Sequence, residues 1–172
     1  MPISVLRLDM RAPAFSPVPP RDLYAAALDM TAYADKQGFQ IVTLSEHHGT
    51  EDGYLPSPLV MAGLLAGRTE KIRITIMALL APLHDPVELA EDIAVLDLAS
   101  GGRVSVCAGR CYRPGEYAAA GRSWEARGEL LVGTVVTLLE AWSGRPGERD
   151  GVGIDVTPRR FTQPRPSRGV GG

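Results

Sequence analysis

Apolar and polar positions fall into blocks along this chain, with strand-like runs giving way to helical spacing four times over. Residues 3–9, I-S-V-L-R-L-D, read as a first strand. Pro13, Pro17, Pro19 and Pro20 then predict a stiff, non-helical loop. Asp22 is placed to start a helix with Leu23, Ala26, Ala27, Met30 and Ala34 on one face, and Gly38 to stop it. Phe39, Ile41, Val42 and Leu44 make the near-continuous apolar run of a buried parallel strand. After a polar stretch at 49–58, Ser57 and Pro58 form an N-cap and first-turn pair for a helix to about Thr69. Residues 72–80, rich in β-branched types, predict a third strand. Asp85, Pro86 and Glu88 start a helix with Leu89, Ala90, Ile93, Ala94 and Leu98 inward, ended by Gly101-Gly102. Val104, Val106 and Ala108 belong to a fourth strand, and Ser123 caps a helix to about Trp142.

Strand and helix alternating with short links demand an α/β fold of parallel strands joined by helical crossovers. A doubly wound sheet and a closed (β/α)8 barrel both satisfy the pattern. No Gly-x-Gly-x-x-Gly follows the first strand and no Walker-type loop is present, which counts against a nucleotide-binding open sheet. The 172 residues suit one domain, here 1–144, followed by a Gly/Pro/Arg-rich tail over 145–172. That tail reads as a loop with one hairpin strand, poorly packed unless something covers it. A net charge of -2 gives no basic surface for nucleic acid. No apolar run is long enough for a membrane span, and no signal peptide precedes the first strand. Cys107 and Cys111 stand in no metal-like or redox spacing, which suits a reducing compartment, so a cytoplasmic location is expected.

The candidate chemistry gathers where strands end. Ser45, Glu46, His47 and His48 crowd the carboxyl end of the second strand, the end at which α/β sheets carry their sites. Adjacent His47 and His48 point to opposite sides if the backbone stays extended, so one of them faces a cavity and a chelating pair is disfavoured. A metal-dependent hydrolase using Glu46, His47, His48 and His84 lacks the spaced His-x-His and an acidic ligand set, so no metal is expected. His84, in the turn after the third strand, either lines the cavity or is structural. Arg110, beside Gly109, has the guanidinium and neighbouring amides that match a phosphate, or else it pairs with Glu116 on the surface. Tyr54 and Trp124 either close a pocket or pack.

Three separated stretches carry a family resemblance: S-E-H-H-G-T-E-D-G-Y-L-P-S-P, A-P-L-H-D-P-V-E-L-A-E-D-I-A-V-L-D-L-A-S-G-G-R and A-G-R-C-Y-R-P-G-E-Y. Together, over about residues 3–145, they resemble the luciferase-like monooxygenases, flavin- or deazaflavin-dependent oxidoreductases. The resemblance implies a (β/α)8 TIM barrel, of which this chain supplies the N-terminal half, apparently truncated. R-P-S-R-G-V-G-G would begin the fifth barrel strand, with Arg168 where an aromatic or aliphatic residue is usual. It implies noncovalent FMN, or F420 as the alternative, and oxidation of a small organic substrate. His47 would be the general acid/base or the group stabilising a reduced or oxygenated flavin, with Glu46 orienting an imidazole or holding the loop. Met77-Ala78 corresponds to a peptide beside the flavin. Gly109, Arg110 and Tyr112 would contact the cofactor, Arg110 at its ribityl phosphate. Cys111, where the family commonly has glycine, is expected to crowd that phosphate. The competing expectation is a non-catalytic flavin-binding or assembly protein, or an inactive fragment. Either way, unpaired sheet edges predict a homo-oligomer.

Overall fold

The computed structural model describes residues 2–144, 147–149, 152–162 and 168–170. Its elements run β1 (Val5–Arg7), α1 (Pro20–Lys36), β2 (Ile41–Leu44), α2 (Pro58–Arg68), β3 (Arg73–Leu79), a 3-10 turn (Ala81–Leu83), α3 (Pro86–Ser100), β4 (Val104–Ala108), α4 (Pro114–Ala119), α5 (Arg127–Ala141), β5 (Gly147–Arg149), β6 (Val152–Ile154) and β7 (Arg168–Val170). The main sheet has the order β1-β2-β3-β4-β7, and all its pairings are parallel. Strands thus add in chain order with no reversal, and right-handed crossovers then put every helix on the same face. A doubly wound sheet reverses its strand order and covers both faces. The architecture is therefore that of barrel repeats, a half barrel. β5 and β6 form the antiparallel hairpin expected in the tail.

Alternation along the strands sorts their side chains. Val42, Leu44, Ile74, Ile76, Leu79, Val104 and Val106 are buried under the helices with Ala27, Met61, Leu65, Leu89, Ile93 and Leu138. Ile41, Thr43, Thr75, Met77, Ser105 and Cys107 occupy the other face and stay at least partly open. There Thr75 Oγ1 and Ser105 Oγ share a 2.9 Å hydrogen bond across β3 and β4. The strands are thus half-buried, not sealed on both faces.

Several local expectations need correction. Pro20 is the first residue of α1, since proline costs no helical hydrogen bond there. The buried stripe of α1 is Ala27, Thr31 and Ala34, and Met30 is 53% exposed. On α3, Leu98 is 40% exposed, and Leu96 and Asp97 are buried instead. Asp85 does cap α3, accepting from the Val87 and Glu88 amides, and Gly101 ends it in the left-handed region at φ 63. Ser57 caps α2 by position without a side-chain hydrogen bond. The helix expected from Ser123 starts at Arg127, Ser123 Oγ accepting from the Ala126 amide in the turn before it. α4, six residues long, has no counterpart in the sequence pattern.

The tail packs better than its composition implies. Val156 joins the core at 3% exposure. The Thr162 amide and hydroxyl donate to buried Asp97 at 2.7 and 2.5 Å. Arg160 donates to the Trp142 carbonyl. Among the described residues no helix is long and apolar enough to cross a membrane.

Candidate active site

Alternation continues past the end of β2 and decides which acid and which imidazole go where. Glu46 takes a helix-side position and is 1% exposed. Its carboxylate is fully engaged: Oε1 lies 2.8 Å from both His48 Nε2 and His84 Nε2, and Oε2 accepts the Leu80 amide at 2.6 Å. Burial alone would push this carboxyl up, but the hydrogen bonds from His48 and His84 prevail and hold it below its ordinary value. An ionised carboxylate only accepts, so both Nε2 atoms carry hydrogen, which fixes the two tautomers. The hydrogen bond to Glu46 in turn raises the His48 imidazolium above its ordinary value, against partial burial.

Glu46, His48 and His84 also offer three ligand atoms within 4.8 Å of one another. Around zinc, with bonds of about 2.0–2.1 Å, tetrahedral ligand atoms sit about 3.4 Å apart. The 2.8 Å separations are hydrogen-bond lengths. The donor set reads as a proton-bearing network.

His47 turns the opposite way from His48, to the open face. Its Nδ1 lies 2.9 Å from Glu116 Oε1, and its ring meets Tyr54 and Tyr112 edge-on, with centroids 4.9 and 5.5 Å away. Glu116 is 4% exposed and reaches this point from α4. It also accepts from Arg113 Nη1 at 3.2 Å and Cys111 Sγ at 3.5 Å. An acceptor so supplied fixes the proton on Nδ1 and leaves Nε2 as the lone pair of the neutral ring. Tyr117, 0% exposed, anchors α4 by donating its hydroxyl to the Arg110 carbonyl.

Two adjoining cavities open at the carboxyl ends of the strands. The inner one, about 340 Å³, is lined by Glu46, His47, Met77, Ala78, Gly109, Arg110 and Tyr112 among others. The outer one, about 720 Å³, shares Arg7, His47, Tyr54 and Tyr112 with it. The Met77-Ala78 peptide is cis, at a register shift between β3 and β4. Ala78 lies so close to β4 that a Cβ on Gly109 would stand 2.5 Å from the Ala78 Cβ, so only glycine fits there.

The structure thus brings seven of the eight residues singled out from sequence to one cavity. His84 is the exception. It reaches the site only through Glu46 and lines a separate groove beside α5. The alternative Arg110–Glu116 pair is replaced by Arg113–Glu116, because the helical i,i+3 spacing favours Arg113. Cys111 adopts φ 59, with its thiol buried against Glu116 and pushed up by that burial. Tyr54 forms a cavity wall, its hydroxyl 2.7 Å from Ser45 Oγ. Trp124 packs beneath the Arg127 guanidinium, 3.7 Å from its ring centroid. Glu116 and Arg7 were missed as site residues. Pro114 followed by Glu116 was the available sign of a helix start, masked by Gly115 between them.

Residues 8–170 match the family model described as "Luciferase-like monooxygenase". The alkanal monooxygenase beta chain of Photorhabdus laumondii is 29% identical over 147 residues, which cover 83% of this chain and 45% of that protein. Monooxygenase RslO1 from Streptomyces bottropensis superposes with a TM-score of 0.86 at 27% identity, covering 98% of this chain and 53% of its own. The oxygenating constituent of 3,6-diketocamphane monooxygenase from Pseudomonas putida, solved with FMN, shares the fold at a TM-score of 0.82 and 19% identity, with 98% of this chain and 50% of its own covered. The chain therefore spans about half the length of these relatives. Parallel strands added in chain order, an E-H-H segment at the mouth of the sheet and a sequence match over nearly the whole chain agree that this protein belongs to the luciferase-like monooxygenase family.

Proposed function

We propose that this chain binds a flavin noncovalently in the inner cavity, FMN first and F420 as the alternative, and serves in the oxidation of a small organic substrate with His47 as the acid/base. The observation that carries this reading is the pose of His47. It is held at Nδ1 by Glu116, flanked by Tyr54 and Tyr112, and lines both cavities.

The residues present fit such a cofactor. A cavity of about 340 Å³ lies within the ~300–1,000 Å³ range of small-molecule clefts. Gly109 adds no side chain to the lining, and the Ala78 methyl fills the place a Cβ there would take. Arg110 stands exposed at the rim and, among the described residues, makes no side-chain hydrogen bond or ion pair, which suits it to a phosphate. The bound flavin would supply the redox chemistry. The chain's own groups bind and orient it: Arg110 holds the anionic end, Tyr54 and Tyr112 flank the His47 ring, and Glu116 keeps His47 ready to take or give a proton at Nε2.

Titration of the purified chain with FMN and with F420, followed by visible absorbance, tests this. Micromolar binding of one of them is expected. Arg110→Ala should weaken it by about tenfold or more, the loss of one charge-assisted contact. His47→Gln should leave binding within about twofold and lower turnover by about 10²–10⁴-fold. Failure to bind either cofactor would leave the second reading, a non-catalytic assembly protein. That reading is favoured by one observation, the partly open inner face with Met77 58% exposed.

A further inference from the structure

The mouth of the site holds a cation that the reading above does not use. Arg7 ends β1, and among the described residues it is the one arginine that lines both the inner and the outer cavity. Strand alternation sets it on the face away from the helices. Its neighbour Leu6 packs on the core, while Val5 and Arg7 are exposed. The other arginines of the outer cavity are committed. Arg11 holds Asp9 through both carboxylate oxygens, and Arg113 holds Glu116. Among the described residues Arg7 makes neither a side-chain hydrogen bond nor an ion pair.

The acids nearby do not neutralise it. Asp9 feels the Arg7 charge, but its oxygens belong to Arg11, whose hydrogen bond holds the carboxyl below its usual value. Glu51 and Asp52 line the outer cavity only, and Asp52 acts on Arg11 and accepts the Tyr54 amide. Arg110 lies on the far wall, since β2 and β3 separate β1 from β4. At about 4.8 Å per strand, β1 and β4 stand roughly 14 Å apart along the sheet. The rings of Tyr54 and Tyr112 and the imidazole of His47 line the same inner cavity.

We propose that Arg7 is the anion-binding subsite for the substrate. The substrate class is then an organic acid, its carboxylate or other oxyanion paired with the guanidinium, and its apolar body lying along Tyr54 and Tyr112 beside His47. A planar guanidinium matches a carboxylate through two parallel hydrogen bonds, and a partly enclosed, aromatic-walled mouth strengthens that pairing over its value in open water. Neutral analogues lacking the charge lose this anchor. The inference rests on the flavin-site reading for the reaction, but the binding of acids does not depend on it.

The test is calorimetric titration of the whole chain with benzoate and 4-phenylbutyrate against their uncharged amides, alongside FMN against riboflavin. The wild type should bind at least one acid about tenfold or more tightly than its amide, with the preference shrinking as salt rises. Arg7→Gln should erase that preference and Arg7→Lys keep part of it. Both should preserve the thermal midpoint, as Arg7 is exposed, and the FMN-to-riboflavin ratio. Equal binding of acids and amides by the wild type, or a preference surviving Arg7→Gln, would overturn the proposal. So would loss of the FMN-to-riboflavin ratio in Arg7→Gln, which would give Arg7 to the cofactor phosphate. A chain that binds neither FMN nor F420 yet selects acids through Arg7 would refute the flavin site and leave this subsite standing.

Discussion

At the scale of single residues, Glu46 holds the site together. It is a carboxylate at 1% exposure with three hydrogen-bond donors on it, so removing it strands two imidazoles and an amide. Glu46→Ala should lower the unfolding free energy by about 2–4 kcal/mol in a urea titration. Its pH behaviour has two limbs. Glu46 is held below its unfolded value of ~4.3, so its contribution is full above that pH and is lost as pH falls through the folded value. His48 is raised above its unfolded value of ~6.5, so its contribution is full below that pH and is lost as pH rises through the folded value. Stability from this pair should therefore be greatest between about pH 4.5 and 6.5. Urea midpoints measured across pH should show the alkaline limb in the wild type and its absence in His48→Gln. The two thiols offer another check. Cys111 is 8% exposed and pushed up by burial, whereas Cys107 lies on the open face. Iodoacetamide should label Cys107 first, as read by peptide mass spectrometry.

At the scale of elements, α4 decides whether there is a site. It is six residues long and too short to declare itself by periodicity. Yet it delivers Glu116 to His47 and seats Tyr117 at 0% exposure in a small cluster with Leu80 and Cys111. Tyr117→Ala should cost about 3–5 kcal/mol by the cavity it leaves, measured by chemical denaturation. Tyr117→Phe keeps the ring and gives up only the hydroxyl's bond to the Arg110 carbonyl, a loss of about 1 kcal/mol. The longer elements were legible because their signals repeat. The Asp85-Pro86 start and Gly101 stop of α3 were visible, and the structure places them as read. Boundaries erred where one residue type serves two roles. Pro20 reads as a breaker yet sits comfortably in a first turn, and Met30 reads as core yet lies on the outer side of α1.

At the scale of the whole molecule, the sheet has one covered face and one partly open face, and β1 is an edge strand. Ile3 and Val5 beside that edge are 69% and 48% exposed. An unpaired parallel edge next to open apolar side chains favours pairing with another chain. Light scattering at roughly 10 μM should give a mass above the monomer. A monomer that persists on concentration would remove this argument.

The sequence by itself determined the parallel alternation of strands and helices, the apolar side of each strand, and the gathering of polar residues at the strand ends. These are local signals, repeated every few residues, and periodicity alone carries them. Only the tertiary structure decided that the sheet adds strands in one direction, that Glu46 turns inward to join His48 and His84, and that Glu116 comes from α4 to hold His47. The contacts of Glu46 with Leu80 and His84 and of His47 with Glu116 join residues 34 to 69 positions apart. Those outcomes depend also on which of two faces a side chain occupies once the helices have closed over the other, and a linear pattern states neither.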